Sequence, residues 1–177
     1  NEKSEFLKKY QLTEKKYLLV TIHREENTDD LSRLSGIING IITLARDQNI
    51  RVIWPLHPRT GKMLLRKEMQ NMLSELKSHR NIDLTEPVSY IDMLHLEQSA
   101  QMVLTDSGGV QKEASFFGVP SVIIRSETEW PELIENQSGV LAGCNSSSIR
   151  EAFSVLNGKS FKPVNGLFGN GKASEKI

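Results

Sequence analysis

Ser107, Gly108 and Gly109 stand between an apolar run, Met102-Val103-Leu104, and a helix-like segment that begins near Val110. A strand that delivers a Ser-Gly-Gly turn to a helix start makes a pocket for an anion. Backbone N–H groups of the first helical turn have no internal acceptor, and the helix dipole adds positive potential. The missing Cβ atoms let a phosphate reach the backbone. Glu113 follows about one helical turn after Gly109, so its carboxylate shares the face of that turn. Donors for phosphates beside an acceptor for sugar hydroxyls suit a nucleotide-sugar. A glycine-rich turn without any ligand has the same local sequence, so the rest of the chain must decide between the two.

Further groups of the same kind recur where apolar runs end. His23 and Arg24 follow Tyr17–Ile22 directly and can donate to a diphosphate; His23 can also pass a proton near neutral pH, or simply cap the strand end. Glu25 and Glu26 come next: one suits a helix N-terminus, while Glu26 is the candidate to orient a basic group or accept from a sugar. His57 lies between Pro55 and Pro58, where a ligand contact and a structural role both stay open. Arg125, after Ser121–Ile124, is expected to clamp a phosphate or substrate. Asp106 is read as a turn-stabilising acceptor of backbone N–H groups, and Thr128-Glu129 before Pro131 as a helix start.

The elements that must position these groups alternate. Tyr17–Ile22, Arg51–Trp54, Asn81–Leu84, Met102–Thr105, Ser121–Ile124 and Gly139–Ala142 read as strands. Leu31, Leu34, Ile37, Ile38, Ile41, Ile42 and Ala45 recur at helical spacing behind Asp29 or Asp30 as N-cap. Met63 to Leu76 predicts a second long helix and Tyr90 to Glu97 a short third one. Val110–Phe117 and Glu129–Glu135 follow, and a last helix through Ile149, Ala152, Phe153 and Leu156 is capped by Ser146–Ser148. Repeated strand–helix units with near-continuous apolar strands imply an α/β fold: a doubly wound, Rossmann-like parallel sheet covered on both faces, with right-handed crossovers. Ligands of such sheets gather at the carboxyl ends of the strands, where the groups above lie. Residues 1–16 read as a linker and entry helix. Residues 157–177, with Gly158, Gly166, Gly169, Gly171 and Pro163, read as a C-terminal loop and tail.

Composition narrows the partners. The chain has 177 residues, enough for one domain with a full core, and its 22 basic residues balance 22 acidic ones. No broad electrostatic attraction to nucleic acid or an anionic membrane is expected, and no apolar run is long enough to span a bilayer. The charged N-terminus has no signal-peptide core, and the single Cys144 fits a reducing cytoplasm and reads as a small filler residue. Metal and cofactor are both expected to be absent. Zinc-type Cys/His spacing and a calcium loop are missing, as are a Gly-Xaa-Gly-Xaa-Xaa-Gly fingerprint, a Walker loop and a Gly-Xaa-Ser-Xaa-Gly elbow.

VTIHREEN, PLHPRT, the Glu86-Pro87 to Tyr90 segment, LTDSGGVQKEA, the GVP at 118–120 and the stretch from Arg125 to Glu132 together resemble the C-terminal half of the non-hydrolysing UDP-N-acetylglucosamine 2-epimerases. The likeness runs from about Phe6 to Ile177. It implies the UDP-binding domain of a two-domain, glycosyltransferase-B type fold whose active site lies between the domains, with the N-terminal domain absent from this chain. By position, Ser107, Gly108 and Gly109 would hold the diphosphate, Glu113 the ribose hydroxyls, and Arg125 would close the phosphate side. His23, beside phosphates and sugar, is the catalytic candidate. Arg24, Glu26 and His57 match positions that touch a second, activating UDP-sugar in bacterial members. The implied reaction inverts C2 of UDP-N-acetylglucosamine to give UDP-N-acetylmannosamine: UDP is eliminated to a glycal and re-added on the other face. The implied partners are UDP, a UDP-N-acetylhexosamine, the missing domain and, at full length, a second copy in a homodimer.

The sequence keeps other outcomes in view. Glu129-Trp130-Pro131-Glu132 departs from the commoner Glu-Arg-Pro-Glu and is also similar to relatives acting on diacetamido-uronic-acid sugars. A hydrolysing epimerase, a glycosyltransferase C-terminal domain or a free-standing nucleotide-sugar binding module would share the fold. Since one sheet edge offers one side of a cleft, the isolated domain is expected to bind nucleotide without turnover.

Overall fold

The computed structural model describes residues 5–163 and Phe168. After a short helix α1 (Glu5–Lys9), the chain lays down six strands: β1 (Tyr17–Thr21), β2 (Arg51–Pro55), β3 (Ile82–Thr85), β4 (Met102–Thr105), β5 (Ser121–Ile123) and β6 (Gly139–Leu141). They form one parallel sheet in the order β3-β2-β1-β4-β5-β6. The doubly wound fold read from the sequence is therefore observed, and every strand begins within a residue of its expected start.

Alternation along the strands builds two cores. Leu18 and Val20 of β1, Val52 and Trp54 of β2, and Leu104 of β4 face one side. There they meet α3 (Leu31–Asp47) and α9 (Ser146–Leu156) through Ile38, Ile41, Ile149 and Phe153. Tyr17 and Leu19, Ile53 and Val103 face the other side, against Leu96 of α6 (Tyr90–Ser99) and Ala114 of α7 (Gly108–Phe116). Burial on both faces is what a parallel sheet needs, because its crossover helices cover each side. Cys144 packs partly buried against the first core.

Local chemistry sets the helix ends. Asp30 caps α3 by accepting from Ser32 and Arg33 N–H, and Ser89 caps α6 by accepting from Asp92 N–H. The expected second long helix is divided into α4 (Pro58–Leu64), a 3-10 turn (Lys67–Met69) and α5 (Gln70–Ser78). Its apolar spacing slips at Leu65, which is left exposed, while Met69 turns into the core. Pro131 opens α8 (Pro131–Glu135) two residues later than Glu129, and Asn145, one residue ahead of the expected serines, caps α9. Gly118 ends α7 with φ +65, where an added Cβ would lie 2.9 Å from the Phe161 carbonyl oxygen. Among the described residues no helix is long and apolar enough to cross a membrane. Residues 1–4 of the entry segment, and Gly166, Gly169 and Gly171 of the tail, lie outside the described residues.

Candidate nucleotide-sugar site

The strand order reverses between β1 and β4, which pair in register from Leu18↔Met102 to Thr21↔Thr105. Such a reversal opens a crevice at the carboxyl edge of the sheet. The loops leaving these two strands carry His23-Arg24 and Ser107-Gly108-Gly109, so the topology sets the two candidate phosphate contacts side by side.

Asp106 joins the two loops. Its carboxylate, 0% exposed, accepts the His23 N–H at 3.1 Å, the Arg24 N–H at 3.0 Å and Asn27 Nδ2 at 3.1 Å. His23 Nδ1 lies 3.6 Å from Asp106 Oδ1. The expected acceptor role is thus observed, with the loop after β1 as the segment tied down. Buried Asn27 extends the stitching: Nδ2 also donates to the Ile124 carbonyl at 2.8 Å, and Oδ1 accepts from Arg33 Nη2 at 3.0 Å. Glu25 and Glu26 open a short helix, α2 (Glu25–Thr28), ahead of α3.

On the β4 side, the Ser107 N–H donates to Thr105 Oγ1 at 2.9 Å, and Ser107 Oγ caps α7 by accepting from the Val110 N–H at 3.5 Å. The N–H groups of Gly108 and Gly109 belong to the first turn, where a helix supplies no acceptor of its own. Among the described residues an added Cβ at Gly109 would meet only Ser107 Oγ, at 3.7 Å, so they leave the approach to this turn open. At Gly108 it would lie 3.0 Å from Glu129 Oε2 and 3.5 Å from Trp130 Nε1. Trp130 Nε1 donates to the Gly108 carbonyl at 2.8 Å, which fixes the turn from behind. Glu113, farther along α7, accepts from the Tyr90 hydroxyl at 3.0 Å.

Arg125 is placed differently from a phosphate clamp. Its side chain is 8% exposed; Nη1 donates to Glu129 Oε1 at 2.5 Å, and Nε lies 3.5 Å from Glu26 Oε1. Glu129 Oε1 also accepts from Arg24 Nη2 at 2.7 Å. The guanidinium of Arg125 is taken up by two carboxylates, and its direct effect is to hold them. The arginine pairing keeps the Glu129 carboxyl below its ordinary value despite opposing burial. Glu129 is the residue that local reasoning missed: a carboxylate read as a helix start is the hub between Arg24 and Arg125. Only the third dimension brings those arginines together.

His57 caps α4, its Nδ1 accepting the Arg59 N–H at 3.2 Å, so the ring proton resides on Nε2. Its ring centroid lies 5.1 Å from that of His23. Burial, then the neighbouring charges of His23 and Arg59, lower its pKa, while Asp106 pulls the other way. The Thr60 hydroxyl donates to the Ile22 carbonyl and tethers α4 beneath the end of β1. Arg59 reaches back to Glu25 at 2.9 Å and to Asp29 at 3.0 Å. His23, Arg24, Glu26, His57 and Arg125 thus form one linked rim beside the Ser107-Gly108-Gly109 turn. Glu113 stands beyond that turn, beside α6.

Comparison with known proteins agrees with this geometry. The family model for UDP-N-acetylglucosamine 2-epimerase matches residues 1–177. A UDP-N-acetylglucosamine 2-epimerase homolog of Methanococcus maripaludis is 42% identical over 99% of this chain and 48% of its own length. The UDP-2,3-diacetamido-2,3-dideoxy-D-glucuronate 2-epimerase of Pseudomonas aeruginosa is 39% identical over 91% of the chain and 43% of its own length. A crystal structure of the Methanocaldococcus jannaschii UDP-GlcNAc 2-epimerase in complex with UDP-GlcNAc and UDP superposes with a TM-score of 0.83 and 39% identity. That superposition covers 99% of this chain and 48% of the other. The chain therefore spans about half the length of the relatives it matches. The match over the whole chain, joined to the parallel sheet and its donor-rich crevice, places this protein in the UDP-N-acetylglucosamine 2-epimerase family.

Proposed function

We propose that this chain is the UDP-binding half of an enzyme that inverts C2 of UDP-N-acetylglucosamine. The observation that carries the reading is α7: an open first turn that begins with two glycines for the diphosphate and, one turn later, the Glu113 carboxylate for the ribose hydroxyls. His23 and Arg24, pinned by Asp106 at the same crevice, supply donors to the phosphates. Loss of the C2 proton and cleavage of the C1–O bond release UDP and leave a glycal. Return of UDP to C1 and of a proton to the opposite face of C2 completes the inversion. Negative charge builds on the UDP oxygens as the C1–O bond breaks, and preorganised N–H donors aimed there lower that barrier. His23 is the proton donor or acceptor of this half. Arg24, Glu26 and His57 form the rim that would meet a second UDP-sugar, and Arg125 fixes Glu26 and Glu129 within it.

One domain offers one wall of a cleft, so the reading includes an N-terminal partner domain that closes over the sugar, homodimer assembly of the complete enzyme, and a cytoplasmic location. A second substrate reading has its own support. The Pseudomonas relative is named for a diacetamido-glucuronate sugar, and Trp130, at the departure from the commoner motif, lies against the Gly108 carbonyl. Both readings share the nucleotide.

Calorimetric titration of the 177-residue chain with UDP tests the nucleotide site. The expected result is saturable one-to-one binding that free UDP-N-acetylglucosamine competes for, with no C2 inversion detectable by NMR. Absence of UDP binding by the folded chain would remove the reading, and inversion by this chain alone would remove the need for a second wall.

A further inference from the structure

Glu97 lies on α6 between residues that pack on the second core, and it is 0% exposed. Neither of its carboxyl oxygens finds a hydrogen-bond donor among the described residues. An ionised carboxylate held there without a donor would carry a desolvation cost of roughly several kcal/mol, which protonation removes. The titratable group facing it from the packed neighbour α7 is Glu113, itself a carboxylate. On its own helix the charged or titratable neighbour is Tyr90. Two carboxyl groups at hydrogen-bonding range require a proton between them, as in other paired carboxylates. Burial first, then the charge of Glu113 and the hydrogen bond to it, push the Glu97 carboxyl up to about 9. Glu97 is therefore the neutral acid of the pair at physiological pH, with a proton that it can donate to Glu113.

Donation of that proton would give Glu113 donors from both ends of α6. The Tyr90 hydroxyl, on the first residue of the helix, donates to Oε1 at 3.0 Å. The Glu97 acid, two turns later, approaches from the buried side. A carboxylate held between two donors cannot rotate freely, and its remaining lone pairs point to the exposed side in a fixed direction. Two parallel hydroxyls of a vicinal diol need such a fixed pair of acceptors.

We propose that Glu97 is a positioning residue for nucleotide recognition: from its buried place on α6 it holds the Glu113 carboxylate in the orientation that accepts the ribose diol. The inference rests on the reading of Glu113 as the ribose acceptor. A residue that merely filled the space between α6 and α7 could be exchanged for an apolar one without loss of ligand selectivity. Gain of stability would follow, since the unsatisfied carboxyl would be gone.

The test compares Glu97→Leu, Glu97→Gln and Glu113→Gln in the 177-residue chain, titrated calorimetrically with UDP, with 2′-deoxy-UDP and with pyrophosphate. Circular dichroism and thermal midpoints monitor the fold. In Glu97→Leu, UDP affinity is expected to fall about tenfold and pyrophosphate affinity to stay within about twofold. The preference for UDP over its 2′-deoxy form should shrink. Glu97→Gln, whose amide still donates to Glu113, should restore UDP affinity to within about threefold of the parent. An infrared carboxylic-acid C=O band at neutral pH should be present in the parent chain and absent from Glu97→Gln. Unchanged UDP affinity in folded Glu97→Leu, alongside a weakened Glu113→Gln, overturns the positioning role and leaves the ribose reading standing. Unchanged UDP affinity in Glu113→Gln overturns the ribose reading and this inference together. Equal loss of UDP and pyrophosphate in Glu97→Leu, or no rescue by Glu97→Gln, also overturns it.

Discussion

The Asp106 carboxylate accepts the backbone N–H of Arg24 at 3.0 Å, joining the loops after two strands through residues that lie 82 apart in the chain. The same group accepts from His23 and Asn27, so one buried side chain sets the geometry of the loop after β1. The bond to Asp106 keeps that loop beside the α7 turn.

Asp106→Ala should therefore destabilise the chain by about 3 kcal/mol, since one buried and two part-buried N–H donors lose a charged acceptor. Asp106→Asn should be impaired as well, because its amide group presents N–H to donors where the carboxylate presented lone pairs. Urea unfolding measures both losses. A change below about 0.5 kcal/mol in either variant would show that the loop is held by other contacts.

The two glycines of the turn should respond differently. Gly109→Val places its side chain in open space above the first turn and should leave stability within about 1 kcal/mol. There it obstructs a phosphate, so UDP and pyrophosphate affinity should each fall about tenfold or more. Gly108→Ala instead pushes on Glu129, whose oxygen would lie 3.0 Å from the new carbon. It should disturb the Arg24–Glu129–Arg125 cluster and lower the thermal midpoint. Wild-type UDP affinity in folded Gly109→Val would rule out the turn as the phosphate contact.

Stability should fall as pH rises through a window set by Glu97. Its folded pKa of about 9 lies above the ordinary value of 4.5. Between those limits the folded chain keeps a proton that the unfolded chain releases, so the stabilisation is complete below about 4.5 and lost toward 9. Urea midpoints from pH 5 to 9 should decline more steeply in the parent chain than in Glu97→Gln, which has no proton to lose. Parallel profiles would mean that Glu97 is ionised in the folded chain.

His57 should titrate below its ordinary value of 6.5, because burial and the charge of His23 both disfavour its cation. The sign is opposite to that of Glu97: His57 contributes stability above 6.5 that is lost as pH falls through its lowered folded value. Proton NMR of the ring should show the low midpoint, and His23→Gln should raise it by removing a repulsive neighbour. A His57 midpoint unmoved by His23→Gln would show that the two rings do not interact.

Much of the fold was legible because it is written in short-range pattern. Apolar runs such as Tyr17–Thr21 and Met102–Thr105 declare strands buried on both faces, and the Asp29-Asp30 pair declares the start of α3, with the structure choosing Asp30 as the cap. The Ser107-Gly108-Gly109 turn is similarly local, since its donors come from one helix start. The α4–α5 break was not legible, because Met63, Leu64, Met69, Met72, Leu73 and Leu76 read as one helical face although the spacing slips at exposed Leu65.

By itself, then, the sequence determined the class of sheet, the strand ends that carry polar chemistry, and the motifs that mark the family. Tertiary structure alone decided which of those groups meet. It brought Asp106 under His23 and Arg24, turned Arg125 inward onto Glu26 and Glu129, and buried Glu97 on α6 without a hydrogen-bond donor among the described residues. The physical reason is range. Periodicity and capping are settled within one or two turns of chain. The charge state of a buried carboxyl, and the partner an arginine chooses, follow from burial and neighbours that arrive from distant segments.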